Sequence, residues 1–246
     1  LSYAWTDNIN TYFNVSEGFR SGGFNNLGRP NYEPEQVLAY ELGIKSALLD
    51  NRLQANLAIF QSDYDDYIAN SQDLAATPPV VISGNVGEAE IKGVELSLDW
   101  AVTDQLSVGL NGSVVNAEFV AINSASTVAN NIEGDYLPFV PKYGYSLNTN
   151  YSFNWSDSVA GNFRLSYNRE GESTSIDRAA GFVPDTIAND SFGFLDLQLS
   201  TQFQTVSLEL FGQNILDEDK NVGVSLTRQT PQARPRTLGL RLSYDF

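Results

Sequence analysis

Hydrophobic and polar residues alternate strictly along much of the chain, and segment 143–153 shows this most clearly. One side of this segment is mostly apolar and consists of Tyr143, Tyr145, Leu147, Thr149, Tyr151 and Phe153. The other side is small and polar and consists of Gly144, Ser146, Asn148, Asn150 and Ser152. A period of two predicts a β-strand, because successive side chains of a strand point to opposite faces. About ten residues is also the length that a tilted strand needs to cross a bilayer.

The same alternation recurs along the chain and predicts eleven strands and no helix. They lie at about 1–6, 9–19, 36–49, 52–64, 87–102, 104–118, 140–153, 158–170, 192–204, 205–215 and 235–246. Helical spacing of the apolar residues explains none of these segments. The sequence therefore predicts an all-β antiparallel meander.

The connections between the predicted strands alternate between short and long. Short turns are predicted at 7–8, 50–51, 103–104, 154–157 and 204–205, and long polar loops at about 20–35, 65–86, 119–139, 171–191 and 216–234. Short turns on one side and long loops on the other are typical of a transmembrane barrel of a bacterial outer membrane, with the turns in the periplasm.

Aromatic residues gather at the predicted strand ends, which fits two belts at the membrane surfaces. The predicted periplasmic belt consists of Trp5, Trp100, Phe153, Trp155 and Phe203. A second group near the long loops consists of Phe19, Phe24, Tyr64, Tyr67, Phe119 and Tyr143.

In a barrel the apolar rows contact lipid and the polar rows line the lumen, whereas in a soluble β-sandwich the apolar rows are buried between two sheets. Periodicity alone leaves both arrangements open.

Composition narrows the possible functions. The chain has no Cys and no His, so it has no disulfide, no thiolate ligand and no histidine general base. We therefore expect no enzyme, no catalytic residue and no cofactor. The net charge of -16 argues against nucleic acid as a partner, because it repels the phosphate backbone. The acidic runs 63–66 and 217–219 lack EF-hand spacing, so we expect solvated charge there and no metal site.

Several segments resemble the C-terminal barrel of TonB-dependent outer-membrane receptors. Residues 12–25 (YFNVSEGFRSGGFN) are similar to the family's run ending in SxGFxxGGFN, and residues 34–46 to its PExxxxYELGxKS run. Residues 85–95 resemble its NxGxAxxxGVE segment, and residues 235–246 its closing PRTxGxxxxYxF. These matches follow the family's order over nearly the whole chain.

The resemblance implies a 22-stranded barrel around an N-terminal plug domain, with energy supplied by the TonB complex through the plug. We expect residues 1–246 to be one unit, the last eleven strands of such a barrel, since neither a plug nor a TonB box is recognisable in it. The odd strand number and the absence of Met fit a fragment that N-terminal strands must close. The implied partners are outer-membrane lipid, the plug and those strands, the TonB complex, the barrel assembly machinery and a small ligand.

For that ligand the resemblance implies an iron–siderophore complex most often, with cobalamin or an oligosaccharide as other options. Possible ligand contacts in the long loops are Arg29, Tyr32, Tyr67, Arg178 and Arg228, because Arg binds oxyanions and Tyr stacks or donates a hydrogen bond. Tyr244 and Phe246 resemble the barrel-assembly signal. A passive outer-membrane porin and a soluble secreted β-sandwich that binds a partner remain the alternative interpretations.

Overall fold

The computed structural model of the chain describes residues 1–26, 28–73, 77, 80–124, 133–174, 188–220 and 232–244. These residues form strands and connecting segments without any helix. The strands are β1 (Ser2–Thr6), β2 (Ile9–Arg20), β3 (Glu35–Leu48), β4 (Leu53–Asp73), β5 (Val80–Ala101), β6 (Leu106–Ile122), β7 (Tyr143–Ser156), β8 (Val159–Glu170), β9 (Ser173–Thr174), β10 (Ala188–Asn189), β11 (Phe192–Phe203), β12 (Val206–Gln213) and β13 (Thr237–Tyr244). Accordingly, no helix in the described part could span a membrane.

Eleven of these strands form a single antiparallel sheet in which neighbours in sequence are neighbours in space. Its order is β1-β2-β3-β4-β5-β6-β7-β8-β11-β12-β13, while β9 and β10 pair only with each other. The prediction of an all-β antiparallel meander of eleven strands is therefore confirmed. Short turns lie at 7–8, 49–52, 103–105 and 204–205, at or within two residues of their predicted places. The turn predicted at 154–157 lies at 157–158, because β7 continues to Ser156.

The predicted loop 65–86 is wrong at both ends, because β4 and β5 continue well into it. They are 21 and 22 residues long, and their pairing runs on from Tyr67 opposite Gly87 to Asp73 opposite Val80. A β-bulge between Tyr64 and Tyr67 shifts the register there. That shift breaks the strict alternation on which the sequence prediction relied.

The two faces of the large sheet differ sharply in polarity. One face lines a cavity to which eight strands, from β4 to β13, contribute residues, so the sheet curves around it. The opposite face carries the apolar rows, whose large side chains remain exposed, as at Leu57, Val94 and Leu240. Within the described residues no second sheet covers these rows. The interpretation as a β-sandwich, which requires the apolar rows to be buried, is therefore wrong.

A small apolar core lies on the inner face, at the long-loop ends of β4, β5 and β6. It consists of Ala69, Val86, Ala89, Ala117, Phe119 and Leu137. Leu137 reaches it because segment 133–137 extends along β6, with the Leu137 N–H donating to the Ala117 carbonyl at 2.9 Å. Phe119 is only 1% exposed. Its predicted place in an outer aromatic belt is wrong, because its position in β6 turns the ring inward.

Candidate functional site: the inner wall and the long-loop rim

The outward side chains are apolar next to the short turns and become charged only further along each strand. In β4 they are Leu53, Ala55, Leu57 and Ile59, followed by Gln61 and Asp63. The same change occurs in the paired strand β5, where Val94 lies opposite Ile59, but Lys92 lies opposite Gln61 and Glu90 opposite Asp63.

All the outward charges of the strands lie toward the long-loop ends. Among them are Glu17, Asp63, Glu90, Lys92, Glu118 and Arg169. Below them lies a charge-free apolar surface, which we call the outer band. A charge at the midplane of a bilayer destabilises a barrel by roughly 2–4 kcal/mol. A charge-free band bounded by charged residues is what contact with lipid requires.

Aromatic side chains on this outer face lie beside the short turns. Trp5 and Trp155 are 64% and 63% exposed, and Trp100 and Phe203 are exposed to a smaller degree. The Phe153 ring packs edge-on against that of Trp155, with 4.9 Å between the centroids. Tyr244 is also exposed at this end, and Phe246 lies outside the described residues.

The inner wall lines an open cavity of about 960 Å³ near the short-turn side. Several strands contribute charged and amide side chains to it, among them Gln54, Asp99, Asn148, Arg164, Asp196, Gln198, Glu209 and Arg241. A second cavity of about 480 Å³ is lined by Glu41, Glu95 and small polar residues. Most residues that the sequence placed on polar rows thus line these two open cavities on the concave face of the sheet.

Hydrogen bonds along the inner wall tie adjacent strands together. Glu209 of β12 accepts from Gln198 of β11 and from Arg241 of β13, each at 2.7 Å. Arg164 and Asn162 both donate to the Asn150 side-chain carbonyl, at 3.2 and 3.0 Å. Because these groups already bond to one another, the wall is ordered before any partner fills the cavity.

A further group of contacts joins β2 and β3 near the other end of the sheet. The Tyr12 hydroxyl donates to the Glu41 carboxylate, and the Lys45 ammonium lies 5.3 Å from the centre of the Tyr12 ring. Gly43, directly opposite Tyr12 in the register, leaves room for the ring, since a Cβ there would lie 2.4 Å from it.

The rim is organised by loop 21–34, which is fastened to the extended ends of β4 and β5. The Asn25 side-chain amide donates to the Ser83 carbonyl and accepts from the Ser83 N–H, at 2.7 and 2.9 Å. Asn85 makes the same pair of bonds with the Glu33 backbone, at 3.0 and 2.8 Å. Each Asn side chain thereby bonds both the N–H and the carbonyl of one residue, as the backbone of a neighbouring strand would.

An ion pair anchors the base of this loop. Arg20 and Glu35, which lie opposite each other where β2 and β3 meet the loop, are 2.8 Å apart. The Glu35 carboxylate is buried and also accepts from the Ile68 N–H at 2.7 Å, while Arg20 donates to the Ile68 carbonyl at 2.5 Å. The base of the loop is therefore bonded to β4 as well.

The predicted ligand-contact residues do not form one group. Arg29 and Tyr32 lie in loop 21–34, where Tyr32 exchanges two backbone hydrogen bonds with Gly23. Tyr67 is not a loop residue as expected, because it lies in β4 with its ring edge-on to Phe119 at 5.5 Å. Arg178 and Arg228 lie outside the described residues.

The acidic runs lie on the surface. Asp63 accepts from Gln61 on the outer face, and Asp217 pairs with Arg236 at 3.0 Å. In the described ranges no three acidic side chains are grouped in a way that could hold a metal ion.

Comparison with known proteins identifies the family. A model described as "TonB dependent receptor-like, beta-barrel" matches residues 1–215. The chain belongs to this family. The resemblance seen in the sequence motifs is thus confirmed for most of the barrel sequence.

Curated relatives are distant and longer. The pesticin receptor of Yersinia pestis is 29% identical over 153 residues, which is 60% of this chain and 21% of that receptor. The probable TonB-dependent siderophore receptor PiuA of Acinetobacter baumannii is 26% identical over 156 residues, or 61% of this chain and 18% of PiuA. The matched part is thus about a fifth of each relative.

Solved structures show the same fold over the whole chain. The ferric yersiniabactin uptake receptor FyuA of Yersinia pestis superposes with a TM-score of 0.74 at 23% identity, covering 100% of this chain and 36% of FyuA. The siderophore receptor PiuA from Acinetobacter baumannii gives a TM-score of 0.74 at 18% identity, covering 99% and 34%. At these identities the likeness concerns the fold.

Proposed function

We propose that this chain forms part of the barrel wall of a receptor in the outer membrane of a Gram-negative bacterium, which imports an iron–siderophore complex with energy from the TonB complex. In this proposal residues 1–246 are the C-terminal half of a 22-stranded barrel. The plug domain and the strands that pair with the β1 and β13 edges belong to the rest of the receptor.

The outer band is the single observation that carries this proposal. A curved sheet with an apolar outside and a hydrophilic inside is stable only where lipid covers the outside. Trp5, Trp100, Phe153, Trp155 and Phe203 then form the periplasmic aromatic belt, because their rings lie beside the short turns. Tyr244 and Phe246 serve as the signal for the barrel assembly machinery.

The inner wall supports a plugged barrel over an open pore. Arg52, Arg164 and Arg241 face the larger cavity together with Asp99, Asp196 and Glu209. A protein domain can meet such a mixed surface with complementary hydrogen bonds. This favours a receptor with a plug over a passive porin.

The ligand class follows from the relatives. Two of the proteins compared above are named for siderophores, and a third structural relative is the ferric preacinetobactin receptor BauA of Acinetobacter baumannii. Cobalamin is the second candidate, because the vitamin B12 transporter BtuB of Photobacterium profundum is 32% identical over 106 residues. Arg29, Tyr32, Tyr67, Arg178 and Arg228 remain the proposed contacts for the ligand.

The test is uptake by the full-length receptor, expressed in Escherichia coli strains that lack their own ferric siderophore receptors and either contain or lack TonB. Radioactive iron bound to yersiniabactin or to a catecholate siderophore, and radioactive cobalamin, are the three probes. We expect accumulation of iron from at least one siderophore, only when TonB is present.

Other outcomes separate the alternatives. Uptake of cobalamin alone would show that the receptor imports cobalamin and not an iron–siderophore complex. Uptake that does not depend on TonB would indicate a passive channel. Recovery of the receptor in the soluble fraction of those cells would contradict the membrane assignment itself.

A further inference from the structure

Arg169 is an outward-facing cation at the long-loop end of β8. Alternation along this strand places Phe163, Leu165 and Tyr167 on the same outer face, between the short turn and Arg169. The strand has 12 residues, so at a tilt of ~40° it crosses roughly 30 Å, about the thickness of a bilayer core. Arg169 therefore lies at the upper boundary of the outer band.

The guanidinium of Arg169 is surrounded by neutral oxygen atoms. It donates to the Ser191 hydroxyl at 2.7 Å, and the side chains of Tyr143 and Tyr167 lie beside it. Lys220 brings a second positive charge, because its ammonium group donates to the Ser191 carbonyl at 3.3 Å. Two cations thus converge on one residue at the top of an apolar and aromatic surface.

In the described part of the chain no carboxylate pairs with Arg169. Among the described residues it forms no ion pair, and the adjacent Glu170 points to the inner face by alternation. Lys92, the other cation on the outer face at a similar level, differs in this respect, because it pairs with Glu90 at 2.5 Å. Arg169 is therefore left to bind an anion from outside the sheet.

We propose that Arg169, Lys220 and the adjacent tyrosines form a binding site for the phosphate of an outer-leaflet lipid. A guanidinium can bind two phosphate oxygens at once, and tyrosine hydroxyls can donate to the others. The lipid chains then lie along the outer band directly below, over Tyr167 and Leu195. A free anion would contact only the charged and hydroxyl groups of this site and not the apolar surface below them. This proposal rests on the placement of the chain in an outer membrane.

The test measures lipid binding to the full-length receptor in detergent by native mass spectrometry. Phosphatidic acid is the probe, diacylglycerol supplies the same chains without phosphate, and inorganic phosphate supplies the anion without chains. The variants are Arg169→Gln, Arg169→Lys and, as a matched control, Lys92→Gln. Circular dichroism and thermal unfolding verify that each variant is folded.

We expect phosphatidic acid to bind the natural receptor and the Lys92→Gln variant equally well. Its affinity should fall about fivefold in Arg169→Gln, with Arg169→Lys between the two. Diacylglycerol should bind more weakly than phosphatidic acid, and an equal concentration of inorganic phosphate should not displace the lipid.

The proposal is wrong if Arg169→Gln binds phosphatidic acid as the natural receptor does, or if Lys92→Gln loses as much affinity. It is also wrong if diacylglycerol binds equally well or if inorganic phosphate competes at equal concentration. Since lipid binding is measured without any imported ligand, a receptor that holds the lipid but imports no siderophore would contradict only the proposed transport.

Discussion

Asn85 serves as a strand partner for Glu33, which is 52 residues earlier in the chain. Its side-chain carbonyl accepts from the Glu33 N–H at 2.8 Å, and its amide donates to the Glu33 carbonyl at 3.0 Å. Asn25 does the same for Ser83 in the opposite direction. The two amides together hold loop 21–34, which contains Arg29 and Tyr32, against the β4–β5 hairpin.

Replacement of Asn85 by Ala should loosen this loop. The change leaves the Glu33 N–H and carbonyl without their partner, at a cost of about 1–2 kcal/mol. Hydrogen exchange of the backbone amides in 21–34 should become about tenfold faster while the strands below remain protected. Asn26→Ala is the matched control, because Asn26 is exposed in the same loop and contributes a backbone carbonyl to Arg29. Equal exchange in both variants would show that the amide does not hold the loop.

Gly87 should tolerate no side chain. Its φ of +144° is unfavourable for other residues, and a Cβ would lie 2.0 Å from the Ala121 carbonyl oxygen of the adjacent strand. Gly87→Ala should therefore lower the free energy of unfolding by at least about 2 kcal/mol. Gly112→Ala should change it far less, since a Cβ there meets Tyr145 at 3.5 Å. Urea unfolding of the full-length receptor in lipid vesicles measures both, and similar stabilities would refute the close approach at the bulge.

Glu209 should hold the last strand in register. Its carboxylate bonds both Gln198 of β11 and Arg241 of β13, so it links three consecutive strands of the sheet. Glu209→Ala should weaken the attachment of β13 by about 1 kcal/mol, because the ion pair is partly exposed to solvent. Hydrogen exchange in 237–244 should then increase about fivefold. Ser207→Ala, on the same face of β12, should leave exchange unchanged, and a similar increase in this control would exclude a specific role for Glu209.

The two faces of β5 should respond differently to a charge. Leu96 lies in the outer band between Leu57 and Gly112, whereas its neighbour Ser97 lines the smaller cavity. Leu96→Lys should lower the free energy of unfolding in vesicles by roughly 2–4 kcal/mol, and Ser97→Lys by much less. Urea titration of the vesicle-bound receptor provides the values. The reverse order would place Ser97, not Leu96, in lipid.

The strands and turns could be predicted from the sequence because one face of each strand is apolar, so a period of two is visible. The ends of β4 and β5 could not, since the bulge near Tyr64 interrupts the alternation and residues 70–73 are polar. Contacts across the rim also escape prediction. Asn25 and Ser83 are 58 residues apart, and nothing local in either segment indicates the other.

Candidate contacts were harder to predict than the fold. Tyr67 was expected in a loop because it falls in the long polar segment 65–86, yet pairing with β5 places it in a strand against Phe119. The contacts of Arg169 with Ser191 and the nearby Lys220 could not be predicted, because these residues lie 22 and 51 positions further along the chain. Alternation with Phe163, Leu165 and Tyr167 assigns Arg169 to the apolar row, and its register opposite Tyr145 confirms that it faces outward.

The most direct test of the lipid-facing outer band is a scan of β11 with single Cys substitutions that carry spin labels. The chain itself has no Cys. Once any Cys elsewhere in the full-length receptor is replaced by Ser, each label reports one position. In the full-length receptor, reconstituted in vesicles, residues 195–200 are labelled one at a time, and collisions with oxygen and with a water-soluble nickel complex are measured. We predict high oxygen contact at Leu195, Leu197 and Leu199 and low oxygen contact at Asp196, Gln198 and Ser200. Loss of this alternation, or greater oxygen contact at the polar positions, would contradict the barrel orientation on which the proposed function depends.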